Sequence, residues 1–188
     1  MSLPNMITIG RIILVPFAIW LIVTGQFLWA FAVFIIAGIS DGVDGFIAKR
    51  FDLATRLGAY LDPLADKLLL VSMYLALGFL GKMSALLVII VVSRDVMIVG
   101  AVILSWVLDK PIEMRPLWIS KVNTAGQILF AGLILAGLGF GVNIDLLSIV
   151  GGFLVGTLTI ASGAAYMRDW IIHMSNGNGL QASRGDNE

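Results

Sequence analysis

Apolar residues fall into six runs along this chain, at 9–23, 27–48, 59–80, 84–108, 118–140 and 144–170. A helix that crosses a bilayer needs about 20 mostly apolar residues, so the pattern predicts an all-α polytopic membrane protein with six transmembrane helices. The breaks are short and carry turn and charge signals: Thr24-Gly25-Gln26, residues 49–56, Gly81-Lys82, residues 109–116 and Gly141-Val142-Asn143. Residues 2–9 read as an interfacial lead-in, and 1–174 as one transmembrane domain. Residues 175–188, rich in Gly, Asn and Ser, read as a polar, disordered tail. Arg11 is the first basic residue and already lies inside an apolar run, which argues against a cleaved signal peptide.

Composition agrees with the pattern. Of 188 residues, 59% are apolar and 13% charged, and the mean hydropathy is +1.00, against roughly 45–50% apolar in soluble domains. Lys plus Arg equals Asp plus Glu at 12 each, so no net basic field is available for a nucleic acid, and none is expected as a partner. The absence of Cys removes disulfides, Cys-zinc sites and thiol catalysis together. With the N-terminus inside, the inner segments hold Lys49, Arg50, Arg56, Lys110, Arg115, Arg168 and Arg184, whereas the outer loops hold Lys82. The positive-inside rule then puts both termini and the 49–56 loop in the cytoplasm.

The remaining cations, Arg11, Lys67, Arg94 and Lys121, lie within spans or at their ends, as do Asp41, Asp44, Asp62, Asp66 and Asp95. An ionisable group in a membrane helix costs a few kcal/mol, so each calls for a partner or a function. Asp41 and Asp44 are three apart near the inner end of the second run, and Asp62 and Asp66 are four apart near the start of the third. Both spacings put a pair on one helical face, and a short connection makes the two helices antiparallel neighbours. Four carboxylates at one depth repel one another strongly in a low dielectric. A hard divalent cation such as Mg2+ or Mn2+, which favours oxygen ligands, resolves that repulsion. The competing reading pairs these acids with Lys49, Arg56 or Lys67 at the interface. Gly45, Ala48 and Gly58 extend the same faces with little or no side chain, which suits either a bulky phosphate-bearing ligand or close helix packing.

The stretch DGVDGFIAKRFDLATRLGAYLDPLAD, residues 41–66, resembles the signature of the CDP-alcohol phosphatidyltransferase family, D-x2-D-G-x2-A-R-x8-G-x3-D-x3-D. Every fixed position matches except that Lys49 stands where the family has Arg. The six-helix plan is similar as well. The resemblance implies an enzyme that moves a phosphatidyl group from a CDP-linked lipid to an alcohol and releases CMP. It implies that Asp41, Asp44 and Asp62 bind two divalent metal ions, with Asp66 a further ligand and the general base. It further implies that Gly45, Lys49 and Thr55 contact the CDP part while Ala48 and Gly58 keep room for it. Lys offers a point charge where Arg offers a planar fork, and neighbouring Arg50 can share the task. The opening PNMITIGRI also resembles the family's first segment, which makes Asn5 a nucleotide contact or, on the plainer reading, a helix cap. A homodimer in a bacterial inner membrane, with a cytoplasmic active site, follows from the resemblance and the orientation.

Arg94 and Lys121 should reach the level of the acidic cluster, where two cations can bind the phosphate of an acceptor or neutralise the acids, Asp95 included. The segments SRDVMIVGAV and ISKVNTAGQ resemble the corresponding stretches of the mitochondrial-type cardiolipin synthase branch of the family. That favours phosphatidylglycerol as acceptor, giving cardiolipin and CMP. Glycerol 3-phosphate, the acceptor of phosphatidylglycerophosphate synthases, is the alternative. A cation channel or transporter is the rival from another class, although a transport site is expected nearer the midplane.

Overall fold

The computed structural model describes the backbone of residues 3–51, 56–107 and 118–185; the side chains of residues 1–8, 41–64, 66, 102, 106–117 and 173–188 lie outside the described part. The described backbone is helical: α1 (Leu3–Val23), α2 (Phe27–Phe51), α3 (Arg56–Phe79), α4 (Ala85–Val107), α5 (Trp118–Gly139) and α6 (Asp145–Gly185). Each of the six apolar runs becomes one helix. The lead-in forms the first turns of α1 rather than a separate segment. At the other end α6 continues to Gly185, through the stretch where composition suggests a tail. No proline interrupts it, and extending a formed helix is far easier than nucleating one.

Three connections share one design. Gly25, Gly81 and Gly141 have φ of 76°, 66° and 67°, a left-handed conformation that glycine adopts without steric cost. At each, two crossed backbone bonds close the helix end. Gly25 N–H donates to Ile22 O and Gln26 N–H to Leu21 O; Gly81 to Gly78 and Lys82 to Leu77; Gly141 to Leu138 and Val142 to Gly137. These are Schellman caps, which satisfy carbonyls the helix leaves without partners. The chain is therefore three tight helical hairpins, α1–α2, α3–α4 and α5–α6, whose turns lie at the opposite end from residues 41–66.

In the packing, α1 lies against α2 and α3, α5 against α2, α3 and α6, and α4 against α3 and α6. The core holds Ile22, Phe34, Met73, Leu77, Val91, Phe130, Ile134 and Leu135, all buried. Around it, large apolar side chains face outward, among them Trp29, Phe79, Trp118, Phe140 and Phe153. A water-soluble bundle turns such residues in; a bilayer removes that requirement. Among the described residues three helical stretches are long and apolar enough to cross a membrane, Ala85–Ser105, Trp118–Gly139 and Asp145–Ile172, and shorter apolar helices occupy Ile9–Val23, Phe27–Ser40 and Lys67–Phe79.

Candidate active site

The acidic signature is divided between two helices. Asp41, Asp44, Gly45, Ala48 and Lys49 belong to α2, and Gly58, Asp62 and Asp66 to α3, while Asn5 lies in the first turn of α1. Their side chains, and Thr55 altogether, lie outside the described residues. The described parts of the same helices converge on a cavity of about 540 Å3, within the roughly 300–1,000 Å3 range of small-molecule sites. Ala37, Gly38 and Ile39 of α2 line it two to four residues before Asp41, and Lys67 of α3 lines it immediately after Asp66. The other walls come from Arg11 of α1 and from Thr124 and Ile128 of α5. Among the described residues its lining is apolar except for Arg11, Lys67 and the Thr124 hydroxyl, so it is an amphipathic chamber beside the signature.

Lys67 is held from behind. Its Nζ donates to Asp95 Oδ1 at 2.7 Å, and the same oxygen accepts from Arg94 Nη1 at 2.6 Å. Arg94 Nη2 donates to Ser120 Oγ at 2.5 Å and Ser162 Oγ at 2.8 Å, and the guanidinium lies 5.7 Å from the Tyr166 ring centroid. One buried arginine thus ties α4 to α5 and α6, and through Asp95 to α3. Charged groups in a low dielectric are tolerated when paired and hydrogen-bonded in this way. The sequence offered two roles for Arg94, an acceptor's phosphate or Asp95; the ion pair with Asp95 is present. Lys121 is different. It is exposed at the start of α5, with its Nζ 5.4 Å from the Trp118 ring centroid.

A second polar group lies next to this one. Thr159 Oγ stands 2.9 Å from Asn123 Oδ1, 2.7 Å from Val155 O and 3.1 Å from Gln127 Nε2, which donates to it. Tyr74 Oη donates to Gln127 O at 3.1 Å. Asn123, Gln127, Thr159 and Tyr74 are fully buried. Sequence reading missed the joint action of Lys67, Asp95, Ser120 and Ser162. The signal was present only as unexplained polar residues in apolar runs, because their partners are 26 to 68 residues away in the chain.

Polar groups turned inward and apolar groups turned outward define the class: an integral, all-helical membrane protein with a polar-ended cavity. Comparison with known proteins then narrows it. The profile of the CDP-alcohol phosphatidyltransferase family matches residues 1–166. The chain is 34% identical over 88% of its length to the Schizosaccharomyces pombe cardiolipin synthase (CMP-forming) / mitochondrial hydrolase fusion protein, covering 30% of that protein. It is 35% identical over 72% of its length to human cardiolipin synthase (CMP-forming), covering 50% of it. It is 34% identical over 88% of its length to the rice chloroplastic CDP-diacylglycerol–glycerol-3-phosphate 3-phosphatidyltransferase 1, covering 56% of it. The chain belongs to the CDP-alcohol phosphatidyltransferase family. It spans about a third to a little over half the length of these relatives.

Proposed function

We propose that this chain transfers a phosphatidyl group from CDP-diacylglycerol to the hydroxyl of phosphatidylglycerol, giving cardiolipin and CMP. The observation that carries the reading is the placement of both halves of the acidic signature on the two helices that wall one amphipathic cavity. In the reaction the acceptor oxygen forms a bond to the phosphorus bearing the diacylglycerol, and the bond from that phosphorus to the CMP oxygen breaks. The acceptor's proton passes to the Asp66 carboxylate, a role that suits a carboxylate within reach of the hydroxyl. Gly45, Lys49 and Thr55 hold the CDP part, with Asn5 covering it, and Ala48 and Gly58 leave it space.

The donor chemistry of Asp41, Asp44, Asp62 and Asp66 fits two Mg2+ or Mn2+ ions, since four carboxylates offer hard oxygen ligands and no softer donor accompanies them in residues 41–66. When bound, such ions polarise the pyrophosphate and offset charge on the departing CMP.

All six helices cross the membrane on this reading. The shortest, α1, has 21 residues and α2 has 25, or about 32–38 Å at 1.5 Å per residue, enough for a hydrocarbon core of ~30 Å. The excess of basic residues in the inner loops supports a cytoplasmic side for the termini and the site; on the same reading the membrane is a bacterial inner membrane and the protein works as a homodimer. A second acceptor, glycerol 3-phosphate, is favoured by the name of the rice relative. The deciding experiment supplies purified protein with labelled CDP-diacylglycerol and either acceptor. Cardiolipin formed from phosphatidylglycerol supports the proposal, product from glycerol 3-phosphate alone moves it to the second acceptor, and no CMP release with either removes it.

A further inference from the structure

We propose that Lys67 is the residue that binds the phosphate of an acidic phospholipid in the cavity between α2 and α5, and that Asp95 is the positioning residue that aims it. Lys67 is the one cation of its ion-paired group that reaches the chamber. Arg94 is buried and its two terminal nitrogens are taken by Asp95, Ser120 and Ser162. The Lys67 side chain is 40% exposed and lines the cavity. An ammonium has three donors, and Asp95 occupies one. Lys67, Arg94 and Asp95 together carry a net charge of +1, so pairing with Asp95 does not cancel the positive end of the chamber.

The rest of the cavity suits an acyl chain. Phe34, Leu70, Ile39 and Ile128 line it, and the last two are also exposed on the outer surface, so the chamber opens sideways toward the bilayer between α2 and α5. A cationic inner end with an apolar mouth matches a diacylglycerol phosphodiester that enters from the membrane. It matches glycerol 3-phosphate poorly, because that molecule has no apolar part to cover the walls. Asp95 fixes the ammonium against α4, which restricts the swing of a long flexible side chain and reduces the ordering cost of binding.

The kinetic part of the test rests on the transferase reading, whereas the binding part does not. In the binding part, native mass spectrometry compares retention of phosphatidylglycerol and diacylglycerol, which lacks the phosphate, by the purified protein. The wild type should favour phosphatidylglycerol by about tenfold, the worth of one charge-assisted hydrogen bond; Lys67→Gln should lose that preference and Lys67→Arg retain it. In the kinetic part, Lys67→Gln should raise KM for phosphatidylglycerol by a similar factor, with little effect on KM for CDP-diacylglycerol. Asp95→Asn should raise it in the same direction, and the double variant should add nothing further, because Asp95 acts through Lys67. Additive effects would assign Asp95 to structure alone and overturn its positioning role. Gly38→Leu provides a test away from the charges: a Cβ at Gly38 meets nothing within 4 Å, so a leucine there fills the chamber without striking the backbone and should raise the same KM. Unchanged lipid preference in Lys67→Gln overturns the assignment; if that variant does not fold, unchanged retention of phosphatidylglycerol in Gly38→Leu overturns it. Absence of CMP release from the wild type would remove the transferase reading and leave the binding result to decide on Lys67.

Discussion

Lys67 on α3 and Asp95 on α4 meet at 2.7 Å inside the bundle, and the oxygen that joins them also receives Arg94 at 2.6 Å. Two cations therefore depend on one carboxylate. Asp95→Asn keeps the shape and removes the charge, which leaves buried Arg94 without its counter-ion. Breaking a buried pair from one side costs on the order of 3 kcal/mol, and the thermal midpoint in detergent should fall accordingly. Lys67→Gln should be milder, since Asp95 keeps Arg94. Equal losses from the two substitutions would contradict the hierarchy.

Thr159 is the hub of the second polar group, in contact with Asn123, Gln127 and Val155. Thr159→Val preserves the volume and deletes the hydroxyl, so the buried Asn123 and Gln127 amides lose a partner. A loss of about 1–2 kcal/mol is expected. Thr157, exposed and bonded to Phe153 O at 2.9 Å, is the control, and its valine variant should stay within about 0.5 kcal/mol of wild type. Unfolding measurements on both variants make the comparison.

Gly139 closes α5 against the start of α2. A Cβ there would stand 2.8 Å from Leu28 Cα and 2.9 Å from Leu28 N, and backbone cannot yield as a side-chain tip can. Gly139→Ala should cost about 1–3 kcal/mol. Gly100→Ala, where a Cβ meets open space, should be neutral or stabilise by up to about 1 kcal/mol through helix propensity. Thermal unfolding of the pair, measured in one detergent, tests both signs.

Asp66→Asn should retain the wild-type melting behaviour and lose at least about 100-fold in CMP release, the usual scale for removing a general base. Chelation should abolish release in the wild type, and Mg2+ or Mn2+ should restore it. Near wild-type turnover by the variant would take the base role away from Asp66.

Helix positions were legible because outward-facing and core-facing residues are both mostly apolar here, so each helix appears as a largely apolar run. The second run was expected at 27–48 and α2 covers Phe27–Phe51; the fifth at 118–140 and α5 covers Trp118–Gly139. The same uniformity hides which face of a helix meets which neighbour. Nothing in the local pattern around Arg94 indicates that Ser120 and Ser162 close on it from two other helices, or that Lys67 reaches Asp95 across the α3–α4 hairpin. The acidic signature was legible through its fixed spacing, which survives without any knowledge of packing.

The three glycine turns at Gly25, Gly81 and Gly141 tie the helices in pairs at one end of the bundle only. At the signature end the helices are joined through residues 52–55 and 108–117. Each of the pairs α1–α2, α3–α4 and α5–α6 is consequently clamped at the glycine rim. A small rotation of a helix about its glycine turn is therefore amplified along the helix length and becomes largest at the end that carries Asp41 and Asp62.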